Sequence, residues 1–311
     1  MKTMNRKAVI DIGTNTFNLL VAEINTNKTI KFLHEERIPV KLGQGSMNDG
    51  IIKPDAIERA VEAINYYKSK AGEFNIQDIT AFATSAVRSS KNGNDFIRII
   101  KNNCDLDIHI ISGDKEAELI YYGVKHAVKM DHNQTYLILD IGGGSNEFIL
   151  CNHEEIIWKK SYNLGITRLI EKIIPTDPIS EENIQALKKY TNSLINDLTE
   201  KCRIHKPLTL LGASGSFETF SSMILFEKYG NNDLMILNTG LEIYMDDLER
   251  WHDKLVKTTE EERKNIPGLP LWRINMIVPA IVFTKHIIEI LNIKKLYLSD
   301  YSMKEGVIFS I

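Results

Sequence analysis

Apolar positions along this chain come in two rhythms. Short runs rich in branched residues, at Ala8–Asp11, Phe17–Ile24 and Thr29–Arg37, read as strands, and the first stretch of helical period, Pro54–Ala71, follows with proline at its start. A strand at Ile79–Ala83, a helix near Gly93–Asn103, a strand at Ile108–Ile111 and a helix from about Lys115 to Val128 come next. Three strands followed by helix–strand alternation predict an α/β lobe built on a mixed sheet.

The pattern then restarts. Strands are expected at Tyr136–Leu139, Glu147–Cys151 and Ile156–Ser161, a helix at Ser180–Ile204, a strand at Leu208–Leu211 and a helix at Ser214–Tyr229. Helices near Met245–Lys257 and Leu271–Leu291, a strand at Lys295–Ser299 and a short helix at Ser302–Ile311 complete the reading. Asp11-Ile12-Gly13-Thr14-Asn15-Thr16 and Asp140-Ile141-Gly142-Gly143-Gly144-Ser145 close equivalent strands 129 positions apart, which points to a duplicated unit presenting two like hairpins to one cleft. The domains are taken as 1–125 and 126–301, with the last helix, about 302–311, packing back on the first.

At 311 residues the chain suits two cores, and 43% hydrophobic with 25% charged residues is ordinary for a globular protein. A net charge of −3 and a pI near 6.3 argue against a general nucleic-acid or membrane-surface binder. The polar start Met1–Lys7 has no signal-peptide character, and Met276–Leu291 is interrupted by Pro279, Lys285, His286 and Glu289, which predicts a core helix and a cytoplasmic protein. Cys104, Cys151 and Cys202 are too scattered for a zinc site or a disulfide framework and read as free thiols, and His252 beside Asp253 reads as surface.

Three glycine turns carry the candidate chemistry. Gly142-Gly143-Gly144-Ser145 and Gly13-Thr14-Asn15 can turn rows of N–H groups towards a phosphate, and Gly212-Ala213-Ser214-Gly215-Ser216 lies between a strand and a helix whose N-terminus can do the same. Each alone could be a tight hairpin. The third nearly spells a serine-hydrolase elbow, but Ser216 stands where glycine is needed, so Ser214 is not expected to be a nucleophile. Asp11 and Asp140 end apolar strands, where a carboxylate needs a cation such as magnesium or the N–H groups of its own turn. Ser112-Gly113-Asp114-Lys115-Glu116-Ala117-Glu118 opens a helix with acids that either favour the helix dipole or activate water, and Arg88 could hold a phosphoryl group or form a surface ion pair.

These motifs, with Leu42–Gly45 through Arg59, Ala83–Arg88, Ile111–Ala117, Leu164-Gly165 with Arg168, Pro267–Leu269, Leu298–Asp300 and Glu305-Gly306, resemble the exopolyphosphatase and guanosine pentaphosphate phosphohydrolase (Ppx/GppA) family along nearly the whole chain. The resemblance implies an α/β fold of two RNase H-like, actin-like lobes with the active-site cleft between them, related to sugar kinases and heat-shock chaperones. It implies Glu116 as catalytic base, Arg88 as phosphate contact, and magnesium at Asp140 with Asp11 and Glu147. The implied substrate is inorganic polyphosphate or guanosine pentaphosphate, and a homodimer is a family expectation. Asn18, Lys115, Glu118, Tyr301 and Lys304 depart from the family's usual residues. Glu118 matters most, since it puts a negative charge near the polyanion path, for which Lys125, Lys129, Lys159, Lys160 and Arg168 are candidate compensation. Long family members carry a further helical region of HD type. An ATP-dependent kinase of the same superfold and a non-catalytic polyphosphate or nucleotide sensor are the rival readings.

Overall fold

The structure is a computed structural model describing residues 5–25 and 29–310, so Met1–Met4 and the final Ile311 lie outside the described residues. The first sheet contains β1 (Asn5–Ile12), β2 (Phe17–Ile24), β3 (Ile30–Ile38), β4 (Ile79–Ala83) and β5 (Ile108–Ile110), in the order β3-β2-β1-β4-β5. The first three strands are antiparallel neighbours, and β4 and β5 continue the sheet in parallel.

The second sheet repeats that plan. It contains β6 (Tyr136–Ile141), β7 (Asn146–Cys151), β8 (Ile156–Tyr162), β9 (Thr209–Ala213), β10 (Gly240–Ile243) and β11 (Lys295–Ser299), in the order β10-β11-β9-β6-β7-β8. Again three antiparallel strands lead and two parallel strands follow, with β10 added at the far edge. Each repeat forms because one strand face cannot stay in water. In β1, Ala8, Ile10 and Ile12 point to the first lobe's own helices, while Val9 points to a core shared between the sheets; in β6, Leu137, Leu139 and Ile141 oppose Tyr136 and Ile138 in the same manner.

That shared core sets the geometry of the cleft. The helix Gly113–Ala127 contributes Ala117, Ile120 and Val124 to it, and the C-terminal helix Met303–Phe309 contributes Met303, Val307 and Ile308. The two helices touch backbone to backbone: a Cβ on Gly306 would lie 1.7 Å from the Leu119 carbonyl oxygen, and one on Gly123 2.0 Å from that of Ser302. The chain's end is thereby wedged against the crossover helix that carries Glu116.

One sequence expectation is corrected. The span Ser180–Ile204 is two helices, Glu181–Leu194 and Asn196–His205, broken at Ile195, whose φ of −108° and ψ of 22° leave the helical region. The Ser193 hydroxyl donates to the Tyr190 carbonyl at 2.7 Å and weakens that last turn, and the break lets Ile195, Leu198 and Cys202 reach the core. Arg88 ends a one-turn helix, Ser85–Arg88, that follows β4. The Leu271–Leu291 segment is long and apolar enough to cross a membrane, with mean hydropathy 1.6 over its most apolar 18 residues, despite its polar interruptions, and 67% of that window is buried within the protein, as a core helix requires. Cys104, Cys151 and Cys202 are free and buried, as expected.

Candidate active site

The two hairpin turns are built alike. Gly13 N–H donates to the Thr16 carbonyl and Gly142 N–H to that of Ser145, each at 3.1 Å, and a Cβ at either glycine would meet that oxygen at 2.7 and 2.6 Å. The carbonyls of Gly142 and Gly143 are taken by the N–H groups of Ile166 and Thr167 at 2.9 Å, and that of Gly144 by Arg168 Nε at 3.1 Å. Because a trans peptide sets its N–H opposite its carbonyl, the N–H groups of Gly143, Gly144 and Ser145 face the other way, into the cleft. In the first loop, Gly43 N–H and Lys41 N–H hold the carbonyls of Thr14 and Asn15 at 2.8 and 2.7 Å, which turns the N–H groups of Asn15 and Thr16 cleftward. Two anion-binding nests therefore converge on a cavity of about 140 Å3 lined by Asp11, Gly13–Thr16, Glu116, Asp140–Ser145, Glu147 and Ser214–Ser216.

The third loop sits at the other wall. Ser214 has a φ of +76° between β9 and the helix Gly215–Tyr229, but its hydroxyl donates to the Ile141 carbonyl at 3.0 Å and accepts from Ile141 N–H at 3.2 Å. The hydroxyl thereby fastens the loop to β6, and Ser214 also lies within hydrogen-bond reach of the Asp140 carboxyl. A Cβ on Gly215 would fall 1.5 Å from Arg273 Nη2, so glycine there lets the guanidinium lie against the helix start.

Acidic groups crowd one end. Ser112 caps the helix Gly113–Ala127 through Lys115 N–H, which sets Glu116 in its first turn facing the cleft. Arg88 Nη1 donates to Glu116 Oε2 at 2.8 Å and to the Ile111 carbonyl at 3.0 Å, so the arginine lies behind the acid and orients it. Burial, with the nearby Glu147 charge, still pushes the Glu116 carboxyl well above its ordinary range against the pull of Arg88. Burial and Asp140 likewise push Glu147 up to about 7, although Ser161 and Ser145 donate to it at 2.6 and 2.7 Å. Loss of water raises Asp11 to about 6, opposed by Asn18 Nδ2 at 2.9 Å, and burial raises Asp140, which accepts from the Ser302 hydroxyl.

Basic groups line the same cavity. Arg37 on β3 forms a two-pronged pair with Glu218 at 2.6 and 2.9 Å, spanning the lobes, and against burial that charge holds the Glu218 carboxyl down at about 2. Burial lowers the Arg273 guanidinium to about 10, and Lys304 pairs with Glu305 and Glu35 at 2.7 and 2.9 Å. Trp272, Ser85 and Met276 complete the wall.

Similarity to known proteins agrees with this geometry. The profile of the Ppx/GppA phosphatase family matches residues 20–311. The chain belongs to that family. It is 34% identical to a crystal structure of an exopolyphosphatase from Cytophaga hutchinsonii, covering 98% of this chain and 97% of that one with a TM-score of 0.94. An Aquifex aeolicus Ppx/GppA member is 25% identical, with 99% and 97% coverage and a TM-score of 0.79. A Fusobacterium nucleatum bifunctional 3-dehydroquinate synthase/phosphatase is 31% identical over 293 residues, which are 91% of this chain but 43% of that protein.

In this Ppx/GppA chain the cleft collects the glycine-turn residues singled out from sequence except Ala213 and Gly212, whose lack of a side chain instead admits the Phe217 ring, 2.3 Å from its ideal Cβ. Arg88 reaches the site through Glu116. Among the candidate compensating cations, Lys159 pairs with Glu118 at 3.3 Å and Lys160 with Asp197, while Arg168 is tied to Gly144 and Met47. Glu118 also pairs with Lys115 at 2.7 Å, so its negative charge is neutralised locally. Arg37, Glu218, Arg273 and Trp272 were not legible as site residues; Ser85 had a signal only as part of the Ala83–Arg88 motif, and Asn18 and Lys304 only as departures from family pattern. No group of three or more metal-ligating side chains is preassembled among the described residues. The donor chemistry of Asp11, Asp140 and Glu147 nonetheless suits magnesium, which takes one or two carboxylates and fills its shell with water and phosphate oxygens; burial first of all raises these carboxyls, and a cation would offset that cost.

Proposed function

We propose that this protein is an exopolyphosphatase, hydrolysing the terminal phosphoanhydride of inorganic polyphosphate in the cytoplasm. The observation that carries the reading is the placing of Glu116, a buried carboxylate of raised basicity, at the end of a cleft into which two N–H nests point. Glu116 takes a proton from water as the water oxygen bonds to the terminal phosphorus; the bridging P–O bond breaks and its electron pair leaves with the shortened chain. The N–H groups of Asn15, Thr16, Gly143, Gly144 and Ser145 bind the non-bridging oxygens where charge develops, and Arg88 keeps Glu116 aimed. Magnesium held by Asp140 and Asp11 or Glu147 would neutralise phosphate charge and help orient the chain.

Guanosine pentaphosphate is the second reading, and one observation favours it. Trp272 lines the cleft yet is 39% exposed, beside Leu271 at 68%, and such an apolar wall suits a purine ring better than a phosphate chain. The deciding experiment measures phosphate release from medium-chain polyphosphate, guanosine pentaphosphate and ATP, with magnesium or EDTA, in wild type and Glu116→Gln. Metal-dependent release that collapses in the variant supports the hydrolase; release unchanged by Glu116→Gln, or absent from every substrate, overturns it.

A further inference from the structure

Ser85 is 2% exposed, lines the cleft, and its hydroxyl oxygen has no hydrogen-bond partner within the protein. Such a group is costly to bury, since its hydroxyl gave up water for nothing in return. The surroundings are not apolar slack. The oxygen lies 2.7 Å from the position a Cβ on Gly144 would take, in the middle of the second N–H nest, and Thr14 Oγ1 lies 2.9 Å from the same point. Ser85 also stands three residues before Arg88 on one helical turn, and so shares a face with the side chain that holds Glu116 at 2.8 Å. A donor without an acceptor, set between the nest and the base, is placed for an oxygen that arrives with the substrate.

We propose that the Ser85 hydroxyl is a further catalytic donor, hydrogen-bonding a non-bridging oxygen of the terminal phosphoryl group as water attacks. The assignment rests on the hydrolase reading above. Its chemistry is that of an oxyanion-type donor: no bond to the serine forms or breaks, and the proton stays on Oγ while the phosphoryl oxygen gains charge. Because no protein group depends on that hydroxyl, removing it should leave the fold intact.

The test is Ser85→Ala in the full chain, with three readouts. kcat for polyphosphate should fall about 100- to 1,000-fold with KM changed far less, the range seen for single donors of this kind. The melting temperature without ligand should stay level or rise, and the stabilisation that inorganic phosphate confers on wild type should shrink. Unchanged kcat overturns the proposal, as does a fall in kcat accompanied by a lower melting temperature, which would mark a packing role. The phosphate-induced stabilisation needs no turnover, so it separates the failure of this assignment from a failure of the hydrolase reading: equal stabilisation of wild type and variant by phosphate removes Ser85 from the site whatever the substrate.

Discussion

Replacing Glu218 by glutamine tests the electrostatic frame that joins the lobes. Arg37 lies 2.6 and 2.9 Å from the two carboxylate oxygens, and the paired side chains are only 25% and 22% exposed, so solvent screening is modest. The carboxyl is drawn from 4.5 to about 2. At roughly 1.36 kcal/mol per pKa unit, the ionised form is favoured in the folded protein by about 3 kcal/mol at neutral pH. Glu218→Gln keeps the shape and removes the charge, leaving Arg37 and Arg273 without their shared counter-ion, and should cost about that much. The sign with pH follows from the depressed value: above 4.5 both folded and unfolded chains carry the carboxylate and the stabilisation is complete. Below 4.5 the unfolded chain gains a proton that the folded chain refuses, and wild type loses the advantage as pH approaches 2. The gap between the proteins, read from urea unfolding, should therefore shrink to roughly half by pH 3. A gap below about 1 kcal/mol at pH 7, or one that does not narrow on acidification, would refute the argument.

Other expectations can be checked separately. For wild type, kcat/KM should rise with pH through a midpoint above the ordinary glutamate range, because Glu116 must be unprotonated to act; Glu116→Gln should lower kcat by about 100- to 10,000-fold and flatten that rise in a pH–rate profile. Gly306→Ala sets a methyl group 1.7 Å from the Leu119 carbonyl and should destabilise by at least about 2 kcal/mol in urea unfolding, because two backbones have to separate. If Trp272 carries a purine, Trp272→Ala should raise KM for guanosine pentaphosphate about 5- to 100-fold and leave polyphosphate kinetics alone, whereas Trp272→Phe keeps most of the affinity.

What the sequence determined by itself was local. Asp11-Ile12-Gly13 and Asp140-Ile141-Gly142 announced a repeated hairpin because a strand, its sharp turn and the oxygen that closes the turn are all specified within a few residues, and the sheets indeed repeat one topology. Glu116 could be placed at the start of a helix because Ser112 caps it three residues downstream. The break at Ile195 was hidden, since both halves have good helical period and only the packing of Leu198 and Cys202 requires the turn. The site's counter-charge was hidden for a stronger reason. Arg37 and Glu218 are 181 residues apart, and nothing near either names the other. The same holds for Arg273 over Gly215, set by packing within the second lobe, and for Ser85 against Gly144, set by the closing of one lobe on the other; in both, distances between side chains depend on the whole core and not on neighbours in the chain.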